Sequence, residues 1–306
     1  MSRALLITGA TGKQGGSVIT SLIARHADFQ ILAVTRDTTS PGAKKLAAAS
    51  PKVTLVQGNL DDTEAIFKNA KKATEAPIWG VFSVQLAPMN KSGPSIEEAQ
   101  GKSLVDSAIK HDVKHFVYTS VDRHGAKSID NPTDVPHFKS KHNIEHHLID
   151  KAKNTTMSWT ILRPVAFMDN FAPGFIGKLF ATAWRDALKS RPLQLIATED
   201  IGAFAAMSFL EPDRFAGKSI SLAGDELSFA QMEKVFREKV GAPPPTTFGF
   251  VAWLVLRLSV ELRTMFNFFE KEGYGADIAA VREVNPDVKD FGRWLEGSAF
   301  VKSKRD

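Results

Sequence analysis

Ala4-Leu-Leu-Ile-Thr-Gly-Ala-Thr-Gly-Lys-Gln-Gly-Gly16 is the stretch on which the fold turns. Residues 4–7 form a short apolar run, the pattern of a buried strand. Gly9, Gly12 and Gly15 then recur every third residue, and Ser17-Val-Ile-Thr-Ser-Leu-Ile-Ala24 continues at helical spacing. Strand, glycine turn and helix in that order form the context that a phosphate-binding reading requires. Gly9 permits the tight turn, Gly12 lets backbone approach a pyrophosphate, and Gly15 lets the helix pack closely on the strand. Amides at the helix start, where Thr11, Lys13 and Gln14 lie, would face the anion. The competing reading is a glycine turn with a purely structural role.

Outward from this stretch, apolar runs alternate with helical patterns. Strands are expected at residues 30–36, 53–57, 79–84, 115–120 and 158–163, with helices at 61–72, 95–111 and 137–153. That alternation predicts a Rossmann-type α/β fold, a doubly wound parallel sheet with helices on both faces. Past Pro164 the pattern loosens into helices at 171–189, 200–210 and 229–240, with short strands near 194–196 and 219–222. The expected division is a dinucleotide-binding core over residues 1–163. A smaller, mainly helical α+β lobe would fill 164–306 and could lend strands to the core sheet.

Composition removes several function classes. The net charge is +5 without a basic block, so direct nucleic-acid binding is not expected. There is no cysteine, hence no disulfide framework, thiolate zinc site or cysteine nucleophile. Neither a G-x-S-x-G elbow nor a paired-carboxylate pattern supports hydrolysis. His142-Asn-Ile-Glu-His146 has the spacing of an inverted zincin motif, but its helix already belongs to the Rossmann pattern, and no metal is expected. The chain opens into a strand without a charged-then-apolar leader, so a cytoplasmic or nuclear location is expected. Residues 248–269 are the most apolar long stretch, interrupted by Arg257, Glu261 and Arg263. Those charges make a membrane span costly. No membrane partner is expected, and the stretch reads as one helix over a cleft or a subunit interface.

Ligands of open parallel sheets bind beyond the carboxyl ends of the strands. The second strand ends in Thr35-Arg36-Asp37. A guanidinium there matches a ribose 2′-phosphate, so Arg36 favours NADP(H). Asp37 on a ribose hydroxyl would select NAD(H) instead. Asn59 and Leu60 follow the third strand, where such folds flank adenine, and Ser83 and Gln85 end the fourth, beside the nicotinamide ribose.

The G-x-x-G-x-x-G spacing resembles atypical short-chain dehydrogenase/reductases. The glycine stretch, Val56-Gln-Gly-Asn-Leu-Asp-Asp62, Pro136-His-Phe-Lys-Ser-Lys141, Leu162-Arg-Pro-Val-Ala-Phe-Met168 and Gly273-Tyr-Gly-Ala-Asp-Ile278 together resemble the NmrA-like family across roughly residues 1–295. The resemblance implies NAD(P) binding, in proteins that act as redox sensors, as regulators of transcription factors or as oxidoreductases. Short-chain reductases place a Tyr-x-x-x-Lys pair on the helix after strand five, with a hydroxyl ending that strand. Here Lys141 matches the Lys, while Thr119 or Ser120 could supply the hydroxyl. His137 stands where the Tyr should be, and the only tyrosines, Tyr118 and Tyr274, do not fit the motif. His137 could act as a general acid or as a cleft contact. Phe167, Met168 and Asn170, with Phe171, either line a substrate pocket or pack the smaller lobe. The sequence therefore points to an NADP(H)-binding regulator, with an NADPH-dependent reductase of a small imine, enone or quinone as the alternative.

Overall fold

The computed structural model describes residues 3–86, 90 and 92–302. The chain divides into two compact units. The first comprises Met1–Ser120, Ser140–Arg163 and Glu199–Ile220; the second comprises Val121–Lys139, Pro164–Thr198 and Ser221–Asp306. Neither unit is continuous in sequence: residues 121–139 belong to the second and 199–220 to the first.

The first half of the chain runs β1 (Arg3–Ile7), α1 (Lys13–Ala24), β2 (Phe29–Thr35), α2 (Pro41–Ala48), β3 (Val53–Gln57), α3 (Thr63–Ala73), β4 (Ile78–Ser83), α4 (Gly93–Lys110), β5 (His115–Thr119), α5 (Pro136–Ala152) and β6 (Ser158–Pro164). It continues with β7 (Ala166–Phe167), α6 (Phe175–Ala183), β8 (Leu193–Ile196), α7 (Thr198–Leu210), α8 (Pro212–Phe215), β9 (Lys218–Leu222), β10 (Asp225–Leu227), α9 (Phe229–Val240), α10 (Gly249–Leu258) and α11 (Val260–Lys271), followed by short helices.

One sheet has seven strands in the order β3-β2-β1-β4-β5-β6-β9. Strands β1 to β6 pair in parallel. Their apolar runs are continuous because helices cover both faces, and every residue of β5 is buried. The order reverses between β1 and β4, so the crevice that such folds offer ligands opens at the ends of these two strands. Seating of α7 is close: a Cβ on Gly202 would lie 2.5 Å from the Ser17 carbonyl carbon of α1.

The second unit holds a three-stranded sheet, β10-β8-β7, and a core rich in rings. Phe171 meets Trp184 at 5.6 Å and Phe291 at 5.4 Å between centroids, the latter edge to face.

Two expectations change. Residues 248–269 are two helices, not one. Ser259 is extended (φ −97°, ψ 110°) and its Oγ accepts from the Leu262 amide, capping α11. Similarly, the pattern over 171–189 is α6 followed by a π turn, Trp184–Leu188. The sequence reading also missed α2, whose start is set by Ser40 at the cap and Pro41 just inside it.

His115 is wholly buried in β5, its Nδ1 2.7 Å from Ser158 Oγ and its Nε2 3.2 Å from Thr160 Oγ1. Burial lowers its pKa from 6.5 to about 4. The folded state therefore resists protonation that the unfolded chain accepts. Stability from this group is complete above pH 6.5 and is lost as the pH falls towards 4. Denaturant unfolding of the wild type should show roughly 3 kcal/mol more loss between pH 7 and pH 4 than His115→Asn, each referred to its own neutral value. Parallel losses would show that His115 does not titrate with unfolding.

Candidate functional site

The turn after β1 is built by close backbone contact. Gly9 has φ +57°, and a Cβ there would lie 2.6 Å from Val84 Cγ1. A Cβ on Gly15 would fall 2.4 Å from Gly9 O and 2.7 Å from Thr8 O, so α1 can start under the end of β1 only with glycine at this place. Thr8 Oγ1 donates to Phe82 O (3.0 Å) and accepts from the Val84 amide (2.9 Å), tying the ends of β1 and β4 together. Gly12 caps α1 with its amide bonded to Gly9 O (2.9 Å) and no side-chain cap. Amides of the first helical turn have no acceptor within the helix. With no acidic residue in that turn, the end stays electropositive. Thr11 and Lys13 lie exposed on this turn. Gln14 is otherwise engaged, because its Oε1 accepts from Thr119 Oγ1 at 2.6 Å.

At the end of β2, Arg36 is exposed, and its guanidinium has no hydrogen bond or ion pair among the described residues. Asp37 is committed to its own turn, with Oδ1 accepting from the Thr39 hydroxyl (2.6 Å) and amide (2.8 Å). Those bonds hold its carboxyl below the usual carboxylate range. Beyond β3, Asn59 Nδ2 donates to Asp61 (2.7 Å), and Leu60 is half-buried beside it. Hydrogen bonds from Gln100 and Asn59 lower the Asp61 pKa.

Ser83 and Gln85 are buried at the end of β4, where Gln85 Nε2 donates to Ser83 Oγ (2.8 Å). Gln85 Oε1 is buried without a hydrogen-bond partner among the described residues. A buried acceptor left open in this way fits a site that receives a donor from a ligand.

On α5, Lys141 Nζ lies 2.8 Å from Glu97 Oε1 of α4, and Ser140 Oγ donates to Glu97 Oε2 (2.6 Å). Glu97 is only 2% exposed, and sequence reading gave no sign of it. Its partner becomes visible only once α4 and α5 pack together. Lys141 also sits 5.9 Å from the Tyr118 ring centroid. Ser120 is buried past the end of β5, its amide bonded to Leu162 O (2.7 Å). His137 Nδ1 is hydrogen-bonded to Glu261 Oε1 of α11, which also accepts the His137 amide at 3.3 Å. Burial opposes ionisation of Glu261, but His137 outweighs it and holds that carboxyl below its usual range. The motif His142–His146 is explained by Glu145, which is buried and bound through both oxygens to Arg163 (3.2 and 2.7 Å). Arg163 belongs to the Leu162-Arg-Pro segment, whose position this pair secures.

In the second unit, Met168 is wholly buried in the ring-rich core, so its side chain packs that unit instead of lining an open pocket. Phe167 and Asn170 are half-buried beside it. Sequence reading also passed over Asp122. This buried carboxylate accepts amides of Gly125 (2.9 Å) and Gly275 (2.8 Å) and the Ser221 hydroxyl (2.6 Å). Gly125 and Gly275 touch so closely that a Cβ on Gly125 would lie 2.2 Å from Gly275 O. The Gly273-Tyr-Gly segment thus anchors residues 121–125.

Gly15→Ala should cost about 1–3 kcal/mol in denaturant unfolding, the scale of an overpacked core, because the new methyl meets backbone oxygens. An unchanged midpoint would show that α1 can withdraw without loss.

The sequence profile of the NmrA-like family matches residues 1–292. The NmrA-like family domain-containing oxidoreductase hkm9 of Aspergillus hancockii is 28% identical over 263 residues, covering 78% of this chain and 73% of that protein. In structure, the chain is similar to the NADPH-dependent quinone oxidoreductase QOR2 of Escherichia coli, solved with NADPH. That similarity has a TM-score of 0.73 at 20% identity over 96% of this chain and 99% of the other. It is also similar to Nmra, a negative transcriptional regulator solved with NAD, with a TM-score of 0.71 at 17% identity over 100% and 99%. At such identities the two structures speak for the fold. With a profile match over nearly its whole length, the chain belongs to the NmrA-like family.

Proposed function

We propose that this protein binds a nicotinamide dinucleotide, NADP(H) in preference to NAD(H), and serves as a redox-responsive regulator, not as a carbonyl reductase. The glycine turn supports the binding: a bare electropositive helix end at the reversal of strand order would hold the pyrophosphate. Arg36 would take the 2′-phosphate, since Asp37 is already bonded to Thr39. Asn59 and Leu60 would flank the adenine, and Ser83 and Gln85 the nicotinamide side. The bound dinucleotide supplies hydride chemistry; the protein's own contribution is to hold and orient it.

One observation carries the regulatory reading. The polar groups at reductase positions are occupied within the protein: His137 by Glu261, Lys141 by Glu97, and Thr119 by Gln14. The Tyr of the reductase pair is replaced by an imidazole whose Nδ1 is turned to Glu261, so the Tyr–Lys couple of carbonyl reductases is missing. Lys141 could still reach a ribose hydroxyl with its remaining ammonium protons, which leaves binding intact. The partner would be a regulatory protein such as a transcription factor, in the cytoplasm or nucleus. The second reading, NADPH-dependent reduction of a small imine, enone or quinone, draws on the oxidoreductase names of hkm9 and QOR2. In that reading Ser120 and Lys141 would serve as catalytic groups.

Cofactor choice is tested by calorimetry. Arg36→Ala should weaken NADP⁺ binding by about 1.5–3 kcal/mol, the worth of a charge-assisted pair, and leave NAD⁺ nearly unchanged. Equal losses for both would remove Arg36 from the 2′-phosphate.

His137→Tyr restores the Tyr-x-x-x-Lys spacing beside Lys141. We expect no ketone reduction by the wild type and little gain in this variant, with cofactor affinity within a few-fold in both. Robust ketone turnover by the unmodified protein would defeat the regulatory reading. In that case His137→Ala should lower kcat by roughly 10²–10⁴, the usual worth of a positioned proton donor.

A further inference from the structure

Helix α10 inverts the usual order of a surface helix. Phe250, Trp253, Leu254 and Leu258 recur at three- and four-residue spacing and so share a face. That face is exposed, with Trp253 at 63% and Leu258 at 76%, whereas Ala252 is the helix's only buried residue. Phe248, stacked on Phe250 with centroids 6.0 Å apart, and Val260 prolong the face at its two ends. Helix α6, packed against α10, adds exposed Phe175 and Ile176. A helix apolar on every side is ordinarily covered, and a patch of this kind marks an interaction surface.

In and around the face, cationic side chains outnumber the acids left without an ion pair among the described residues, of which Glu270 is one. Arg257 lies within the stripe, its guanidinium 6.0 Å from the Trp253 ring centroid. Arg263 follows on α11, donating to the Arg257 carbonyl at 3.1 Å. Neither arginine has an ion pair among the described residues. Lys178 is exposed on α6. Of the acids nearby, Asp186 is paired with Arg185 (2.7 Å) and Glu261 is held by His137. Beside the stripe is a cleft of about 240 Å³ of mixed character, where Trp253, Leu256 and Phe266 meet Asn267, Glu270 and the two arginines.

We propose that α10 and the start of α11 form a peripheral docking element for an anionic lipid bilayer. The helix lies flat in the interface, with its aromatic and leucine side chains at the acyl boundary. Arg257 and Arg263 meet headgroup phosphates. No helix among the described residues is long and apolar enough to cross a membrane, so docking is superficial. The arginines that make a span costly are, in this arrangement, the groups that favour the surface. Charge argues against a second copy as occupant, because a two-fold contact would set this cationic patch against the same patch of the other copy. Shape argues against a peptide: the stripe is the convex side of one helix, whereas peptide helices settle into grooves.

Flotation of the full chain with vesicles tests this. Protein should float with phosphatidylcholine vesicles containing about one third phosphatidylserine, and roughly tenfold less with phosphatidylcholine alone. The pair Phe250→Glu and Leu258→Glu should reduce binding to the anionic vesicles roughly tenfold or more. Arg257→Glu with Arg263→Glu should abolish the preference for anionic lipid. All four side chains are exposed, and unchanged thermal unfolding confirms that each variant is folded. Failure to float with either vesicle overturns the proposal, as does flotation that none of these variants alters. A concentration-dependent dimer that Phe250→Glu dissociates, without vesicle binding, would assign the surface to a second copy.

Discussion

The contact between Gly15 and the backbone oxygens of Thr8 and Gly9 sets the geometry from which the candidate site follows. With no room for even a methyl carbon, α1 begins directly beneath the carboxyl end of β1. The first-turn amides then emerge at the point where strand order reverses. Thr8 adds a lateral constraint by bonding the β4 backbone on both sides of Ser83. The glycine turn and the Ser83–Gln85 end are thereby held side by side. A site for a pyrophosphate and the neighbouring ribose needs that adjacency, and it rests on backbone contacts that no surface substitution disturbs.

Around this rigid base, the polar groups divide into committed and open ones. Asp37, Glu97, Glu145 and Glu261 are each bonded to a nearby partner, so none offers a free carboxylate to a ligand. Arg36 and Gln85 Oε1 remain open among the described residues.

Helix α5 shows how one element can serve two packing environments. Its first residues carry His137 and Phe138, which join Glu261 and the ring-rich core of the second unit. Its later residues carry Lys141, Glu145 and Leu148, which pair with Glu97 and Arg163 or enter the core of the first. The chain crosses between the units after Lys139, within a continuous helix.

Much of this was legible in the sequence because it depends on local spacing. Apolar runs of four to seven residues separated by helical patterns specify parallel strands, and a glycine every third residue specifies the turn that joins β1 to α1. Arg36 and Gln85 could be placed because strand ends follow from strand runs. Tertiary structure decided what spacing cannot encode. Glu97 and Glu261 became partners of Lys141 and His137 only when distant helices met, and neither carries a local signature. For Met168 spacing left pocket lining and core packing both open, and its burial depends on a core formed by segments far along the chain. Residues 248–269 read as one helix because both halves are apolar. The break at Ser259 arises because an extended Ser259 can cap α11. Periodicity reports which residues share a face; only the packed chain determines what, if anything, that face meets.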